Sequence, residues 1–475
     1  MGSDINHQPT KQQNNETTKQ QNNQMERQRI SFNSRLGMIL ATAGSAVGLG
    51  NIWRFPTTTG SNGGAAFILV YVVFTLLLGL PAMMSEILIG RHGGGNSKHS
   101  YTVAGGGKLW GLTGVMGMLC SAIILGFYSV VAGWCIYYFC LAVCDEVLGS
   151  PKYISASFDA IVSHPWIPSV LSIVFIFLTH AIIVRGVQKG IEKASKMMMP
   201  LLFILMFVLI FASCSLPGSF DGVKFLFHPD FSKITVDVLY EAIGQSFFSL
   251  SLGTACLCTY GSYFKKDANL FQSSVQIAGI DCGVAIMAGL MIFPAAFAVG
   301  LRPDAGPSLI FQTLPNVFTM AFPHIVAYVV AIIFFALLTL AALTSTISMH
   351  EIGTSLISQE MSMSRTKAAW IVSGFCCIIG ILSAISMGSC PMGFFGQTLF
   401  DNFDGLTSNI LMPIGAIITS LVVGWRMPKD QLLAELTSNG RYQWKPLALS
   451  VYLFLMRYFV PACIAIIILS RFNVI

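Results

Sequence analysis

The sequence contains few charged residues. Only 10% of its 475 residues are Asp, Glu, Lys or Arg, whereas 54% are hydrophobic and the mean hydropathy is +0.70. A soluble domain usually carries about 25% charged residues, so this composition excludes an ordinary soluble protein. It predicts an all-α polytopic membrane protein, with the lipid bilayer as a partner. The net charge of +6 follows the membrane, as described below, and does not indicate a nucleic-acid partner.

The sequence also lacks the side-chain groupings that enzymes and metal centres need. Its 8 histidines are scattered, and its 12 cysteines show no metal-ligand spacing. Pairs such as Cys256 and Cys258 lie inside apolar runs, where cysteine acts as a small core residue. No nucleophile stands beside a base, so we expect a protein that is not an enzyme.

Long hydrophobic runs occupy most of the chain. A helix needs about 17–25 apolar residues to cross a bilayer, and eleven runs are long enough. These predicted spans, numbered 1 to 11 in chain order, are 37–57, 65–90, 112–144, 166–184, 195–214, 239–262, 271–300, 324–357, 367–387, 397–425 and 446–471. Residues 1–32 are polar and repeat "TKQQNN", which predicts a disordered cytoplasmic tail before a transmembrane domain at 33–475.

Lysine and arginine are distributed unevenly between the predicted loops. With a cytoplasmic N-terminus, all but seven of the 27 fall in cytoplasmic segments. The seven exceptions are Arg54, Lys152, Lys224, Lys233, Arg302, Arg457 and Arg471. Because this bias follows the positive-inside rule, we expect a multi-pass protein of the cell membrane. An odd number of spans then places the C-terminus outside.

Spans 1 and 6 contain residues that weaken a helix. Span 1 has Gly44, Gly48 and Gly50, and span 6 carries the polar stretch "GQSFFSLSLGTACL" from Gly244 to Leu257. Glycines four apart could also form a helix-packing surface. However, Gly-interrupted spans at corresponding positions of two halves indicate a transporter site, because unwound backbone offers carbonyls to cations and amides to anions.

Three motifs carry a family resemblance. They are "GSAVGLGNIWRFP" with "NGGAAF" in and after span 1, "GQSFFSLSLG" in span 6 and "LAALTSTIS" in span 8. They resemble the neurotransmitter:sodium symporter family from about residue 29 to the end. The resemblance implies the LeuT-type fold, with helices 1 and 6 broken. Two inverted five-helix repeats would occupy about 37–215 and 238–426, with one peripheral helix at about 446–471.

The resemblance also implies two Na+ sites. Sodium one would be held by Ala46, Asn51, Ser249 and a residue of span 7, for which Asp281 and Ile280 are the alternatives. We favour Asp281, because an ionisable residue inside a membrane is usually functional. Sodium two would be held by Gly44, Val47, Ala341, Thr344 and Ser345. Some family members bind chloride near the positions of Tyr71, Gln245 and Ser249, and whether Asp281 replaces that anion is left open.

The same resemblance implies the residues that contact the substrate. They are Ser45, Ala46, Leu49, Gly50, Ile124, Tyr128, Phe248, Ser249, Ser251, Thr254, Ser345 and Met349. Family members that carry monoamines have an aspartate where this chain has Gly48. The glycine leaves room for the substrate's own carboxylate. We therefore expect a small neutral amino acid, and the mostly apolar, uncharged pocket favours a hydrophobic one with an aromatic or branched side chain.

Gate residues are implied on both sides of the site. Arg54 and Asp404 match the outer ion pair, above a lid of Tyr128 and Phe248. Arg29, Phe32, Tyr263 and Glu351 match the inner latch. The acidic partner expected for Arg29 aligns with Gln359, so Glu360 beside it is the candidate.

Together these features predict a sodium-coupled symporter that imports a neutral, hydrophobic L-amino acid by alternating access. Two alternatives are an amino-acid sensor of the same fold and a symporter for another small solute such as an osmolyte. The sequence leaves open the use of chloride and the formation of a homodimer.

Overall fold

The computed structural model describes residues 31–300, 308–388 and 392–471, which are helical with no strands. The N-terminal tail proposed for residues 1–32 thus lies almost wholly outside the described residues. The helices are Arg35–Ala46, Gly50–Ser61, Ala65–Gly93, Ser97–Gly105, Lys108–Val143, Pro151–Ser163, Ile167–Ile183, Val187–Cys214, Phe220–Phe227, Val236–Ser249, Cys256–Gly261, Leu270–Ala298, Leu309–Ala321, His324–Glu360, Arg365–Met387, Leu399–Arg426, Lys429–Leu436 and Pro446–Ser470.

The long helices agree with the predicted spans. Within the described ranges, eight helices are long and apolar enough to cross a membrane. The number of spans rises to ten if each of two bent pairs of helices is counted as one span. The two short helices Val236–Ser249 and Cys256–Gly261 together cover predicted span 6. The eleven predicted spans are therefore all represented by helices at their expected positions.

Span 1 is broken at its glycines. The helix Arg35–Ala46 is capped by the preceding residue, Ser34, whose side chain accepts a hydrogen bond from the Gly37 amide. It ends at Val47, whose backbone is extended, and the next helix, Gly50–Ser61, is bent by 54° from the first. The break predicted from the glycines is confirmed.

Span 6 is broken over a longer stretch. Between Ser249 and Cys256 the backbone adopts positive φ at Ser251 (53°), Gly253 (80°) and Ala255 (58°). No side chain fits on Gly253, because a Cβ there would overlap the carbonyl of Met412 in span 10. Its amide donates to the buried carboxylate of Glu86 in span 2. Neighbouring spans therefore hold the unwound segment in place.

One connection differs from the sequence prediction. The segment between predicted spans 3 and 4, for which the sequence predicted no span, contains the helix Pro151–Ser163, which meets Ile167–Ile183 at 76°. Ser150 caps this helix and Pro151 occupies its first turn, both of which favour helix initiation. It lies away from the breaks in spans 1 and 6.

Candidate functional site

A cavity lies where spans 1 and 6 are unwound. It contains about 60 Å³ of free space and faces spans 3 and 8. All twelve residues expected to contact the substrate line it. The lining residues are Ser45, Ala46, Gly48, Leu49, Gly50, Ser121, Ile124, Phe127, Tyr128, Phe248, Ser249, Ser251, Thr254, Cys256, Ser345, Ser348, Met349 and Met412. None of these side chains is charged.

Several lining residues were missed by sequence reasoning. Ser121 and Phe127 lie on span 3, on either side of the predicted Ile124, and Ser348 precedes Met349 on span 8. Ser121 and Phe127 could have been predicted, because residues three or four positions from Ile124 lie on the same face of the helix. Met412 comes from span 10, and no motif in that span pointed to it.

The part of the cavity beside span 1 consists mainly of backbone. The Leu49 amide donates to the Tyr128 hydroxyl at 3.2 Å. A Cβ on Gly48 would overlap the Ser345 hydroxyl and lie 3.3 Å from that of Tyr128. The chain therefore has no room at position 48 for an acidic side chain, and the Leu49 amide faces Tyr128 instead.

Oxygen atoms of spans 1 and 8 meet behind this cavity. The hydroxyls of Thr344 and Ser345 each donate to the carbonyl of Val47 at 3.2 Å. Thr344 also donates to the carbonyl of Ala341 at 2.9 Å. A Cβ on Gly44 would lie 3.6 Å from the Cβ of Thr344. The residues expected to hold sodium two therefore lie close together. These neutral oxygens are the ligand type that hard cations prefer.

A second polar cluster joins spans 1, 6 and 7 around Asp281, which is fully buried. Its carboxylate accepts hydrogen bonds from the Asn51 amide and the Ser249 hydroxyl, both at 2.7 Å, and from the Tyr71 hydroxyl at 3.4 Å. Ile280 is partly exposed instead. The helical register thus turns Asp281, not Ile280, toward Asn51 and Ser249.

An outer cavity of about 270 Å³ lies above the central one. Arg54, Asp404, Tyr128 and Phe248 all line it, as expected for the outer gate. The Arg54 guanidinium lies over the Phe248 ring, with its carbon 4.2 Å from the ring centroid. Phe248 and Tyr128 line both cavities and so separate them.

The inner side is packed with aromatic and charged groups. Phe32 is buried edge-on against Tyr263, with ring centroids 5.8 Å apart, and Tyr263 donates to Glu351. Glu351 forms an ion pair with Arg365 at the start of span 9. Sequence reasoning missed Arg365, although a basic residue at the start of the span that follows Glu351 was its signal.

The expected partner of Arg29 has contacts of its own. Glu360 forms an ion pair with Lys98 and accepts a hydrogen bond from the side chain of Asn96 at 3.1 Å. The side chain of Gln359 accepts one from the backbone N–H of Asn96 at 2.8 Å. Arg29 lies outside the described residues, so its pairing with Glu360 stays a prediction.

The inner half of span 1 is also fastened to span 5. Glu192 is 1% exposed, and its carboxylate accepts from the Asn33 amide at 2.8 Å, the Ser34 amide at 3.2 Å and the Ser34 hydroxyl at 3.0 Å. Glu192 is the last residue of the π-helical turn that opens span 5, Val187–Glu192, and its carboxylate also meets Lys196 at 2.7 Å. A single carboxylate thus satisfies the free amides that precede the helix Arg35–Ala46.

Comparison with known proteins identifies the family. The profile of the Sodium:neurotransmitter symporter family matches residues 29–149 and 158–475. An uncharacterized sodium-dependent transporter of Bacillus subtilis is 37% identical over 94% of this chain and 98% of its own. One of Haemophilus influenzae is 33% identical over 94% and 98%.

A solved structure agrees with this assignment. The crystal structure of MhsT in complex with L-phenylalanine is 38% identical, covers 93% of this chain and 99% of its own, and superposes with a TM-score of 0.84. The sequence prediction of the LeuT-type fold, two inverted five-helix repeats with a peripheral helix, is confirmed, whereas the residue bounds given for the repeats stay a prediction. The chain belongs to the sodium:neurotransmitter symporter family, a family of transporters and not of enzymes, and is a multi-pass, sodium-dependent symporter.

Proposed function

We propose that the protein imports a neutral, bulky hydrophobic L-amino acid together with Na+. The observation that carries this proposal is the cavity at the two helix breaks, where free backbone lies on one side and uncharged side chains on the other. A zwitterion fits such a site, because amides and the Tyr128 hydroxyl can face its carboxylate while carbonyls of span 6 face its ammonium group.

The side-chain half of the cavity favours an apolar substituent. Ile124, Phe127, Met349 and Met412 surround it, and methionine adapts to irregular shapes. MhsT, whose structure contains L-phenylalanine, supports an aromatic or large aliphatic substrate. A charged side chain would find no counter-charge among the lining residues.

Two Na+ ions would be held by the two oxygen clusters. Sodium two would lie among Gly44, Val47, Ala341, Thr344 and Ser345. Sodium one would lie among Ala46, Asn51, Ser249 and Asp281. Ion and substrate would stabilise the same unwound segments, so each would raise the affinity for the other.

We further propose that transport needs no chloride. The Asp281 carboxylate lies against Tyr71 and Ser249, the positions near which some relatives hold that anion. A fixed negative charge there would balance sodium one. Alternating access would then follow from opening the outer gate at Arg54 and the inner gate at Tyr263 in turn. The bias of lysine and arginine supports a cytoplasmic N-terminus and an outside C-terminus.

Uptake into proteoliposomes tests the function. Purified protein is given radiolabelled L-phenylalanine, L-tryptophan, L-leucine, glycine and taurine, with and without an inward Na+ gradient. We expect sodium-dependent accumulation of the large apolar substrates, lost on Asn51→Ala.

Two results would overturn it. Saturable sodium-dependent binding without accumulation would indicate a sensor. Preference for taurine over every amino acid would indicate an osmolyte carrier. Thr346→Ala is the control, since that hydroxyl bonds to Thr179 outside both clusters.

A further inference from the structure

Arg457 is a charged residue inside a hydrophobic span. It lies near the middle of Pro446–Ser470, within the π-helical turn Leu455–Phe459. That turn packs against a second π-helical turn, Val422–Arg426 at the end of span 10. The Nε atom of Arg457 donates to the carbonyl of Gly424 at 2.6 Å. Ionisable residues at such positions are rare and usually functional.

The surroundings hold this guanidinium in one place. A Cβ on Gly424 would lie only 3.0 Å from the Cγ of Arg457, so the absence of a side chain permits the approach. The guanidinium carbon lies 5.3 Å from the centroid of Trp425, a cation–π contact. The Trp425 indole N–H in turn donates to the carbonyl of Arg457 at 3.5 Å, and Tyr458 packs edge-on against the same ring.

The site opens onto the lipid-facing surface. Trp425 and Tyr458 are 54% and 53% exposed, and Phe454, one turn before Tyr458, is 57% exposed. In the described part of the chain, Arg457 forms no ion pair with a carboxylate, and its hydrogen bond to Gly424 uses only Nε. The two terminal amino groups are therefore available for an anion from outside the protein.

We propose that Arg457 binds the phosphate of an anionic phospholipid. The planar guanidinium fork matches phosphate geometry, and basic pockets between helices on the cytoplasmic side bind anionic headgroups. The exposed Arg426, next to Trp425, adds positive charge at this end of span 10, with its guanidinium over the Trp110 ring. Trp425, at the end of span 10, would lie at the headgroup level, where such rings concentrate, and the side chain of Arg457 extends from its span to this ring. The assignment to the inner leaflet rests on the proposed orientation of the chain.

Simple extension of the side chain toward water does not explain this arrangement. An arginine that only reaches for the interface lays its stem along apolar surface and keeps its head in water. Arg457 is instead anchored through Nε to a backbone carbonyl and stacked on an indole. That anchoring fixes the direction of the remaining donors, as a binding site requires.

The test is native mass spectrometry of the purified, delipidated full chain. Phosphatidylglycerol, phosphatidylcholine and inorganic phosphate are titrated separately. We expect phosphatidylglycerol to bind in preference to the other two. Arg457→Gln should weaken its binding about fivefold, because the variant loses the paired N–H donors that a guanidinium offers to a phosphate. Lys445→Gln, which removes an exposed charge near the start of the same helix, should leave binding unchanged.

Three results would overturn the proposal. They are equal binding of phosphatidylglycerol by wild type and Arg457→Gln, equal binding of phosphatidylcholine, and inorganic phosphate binding that matches the lipid. If Arg457→Gln does not fold, Arg457→Lys serves instead, because lysine cannot keep the Gly424 bond and still offer a fork. Unchanged affinity in that variant would also refute the site. Since the readout involves no uptake, a failure of the proposed transport would appear only in the proteoliposome assay.

Discussion

The side-chain amide of Asn51 lies 2.7 Å from the carboxylate of Asp281, across 230 residues of chain. The contact joins the break in span 1 to the middle of span 7 and includes the Ser249 hydroxyl from span 6. Three spans thus meet at one buried carboxylate, and its charge sets what else the cluster can hold.

Removing that charge should impair sodium binding. We expect Asp281→Asn to raise the Na+ concentration needed for half-maximal uptake at least tenfold, or about 1.4 kcal/mol. Wild-type uptake should be equal in chloride and gluconate media. Gly279→Ala, in the same span, is the control, because nothing lies within 4 Å of its new Cβ. A wild type that requires chloride would contradict the role given to Asp281.

The second oxygen cluster makes a separate prediction. Thr344→Ala removes a hydroxyl that meets the carbonyls of Val47 and Ala341. Losing one polar contact costs about 1–3 kcal/mol, so apparent Na+ affinity should fall about tenfold or more. Binding of labelled substrate at graded Na+ concentration measures it. An unchanged sodium curve for Thr344→Ala would remove this hydroxyl from the cation site.

Gly48 provides a steric test of substrate binding. Gly48→Ala would press a methyl group against Ser345, and overpacking costs about 1–3 kcal/mol, so substrate affinity should fall about tenfold. Gly244→Ala, in the other broken span, is a matched control because nothing lies within 4 Å of its new Cβ. Equal losses in both variants would mean that helix propensity, and not the cavity, was affected.

The Glu192 contact should govern the inner gate. Glu192→Ala leaves the Asn33 and Ser34 amides without their acceptor, at about 1–3 kcal/mol each. The inner half of span 1 should then open more often. Labelling of a cysteine introduced at Met38, which is buried on the same helix, should accelerate in Na+, in a background where reactive native cysteines are replaced. The exposed Lys189→Ala is the control. No change in labelling would show that other contacts close the gate.

A carboxylate between spans 10 and 11 predicts a pH dependence of stability. Burial opposes ionisation of Glu435, but hydrogen bonds from His92 and Lys266 and the charge of Arg91 lower its pKa to about 2. A lowered pKa stabilises the fold above the unfolded value of about 4.3 and loses this effect as the pH falls toward 2. The unfolding midpoint of the wild type should therefore exceed that of Glu435→Gln at pH 7, and the gap should narrow below pH 4. A constant gap would contradict the linkage.

Sequence reasoning located the backbone features of the site better than the pairing of its side chains. Glycine and polar residues inside apolar runs act locally, so the breaks near Gly48 and Gly253 could be predicted. The choice between Asp281 and Ile280 needed the rotation of span 7. The pairing of Glu351 with Arg365, and of Glu360 with Lys98, depends on which helix ends meet. Met412 enters the cavity through the approach of span 10 to Gly253, which no local pattern encodes.

The division of the central cavity bears on how such a protein can change over time. One wall is made of main-chain groups and Tyr128, which would read the part common to all amino acids. The other is made of replaceable side chains, including Thr254, Met349 and Met412. Substitutions in that second wall can alter which residue is carried without rebuilding the helix breaks. Substrate specificity can therefore change through single substitutions, while the coupling of transport to the Na+ gradient is retained.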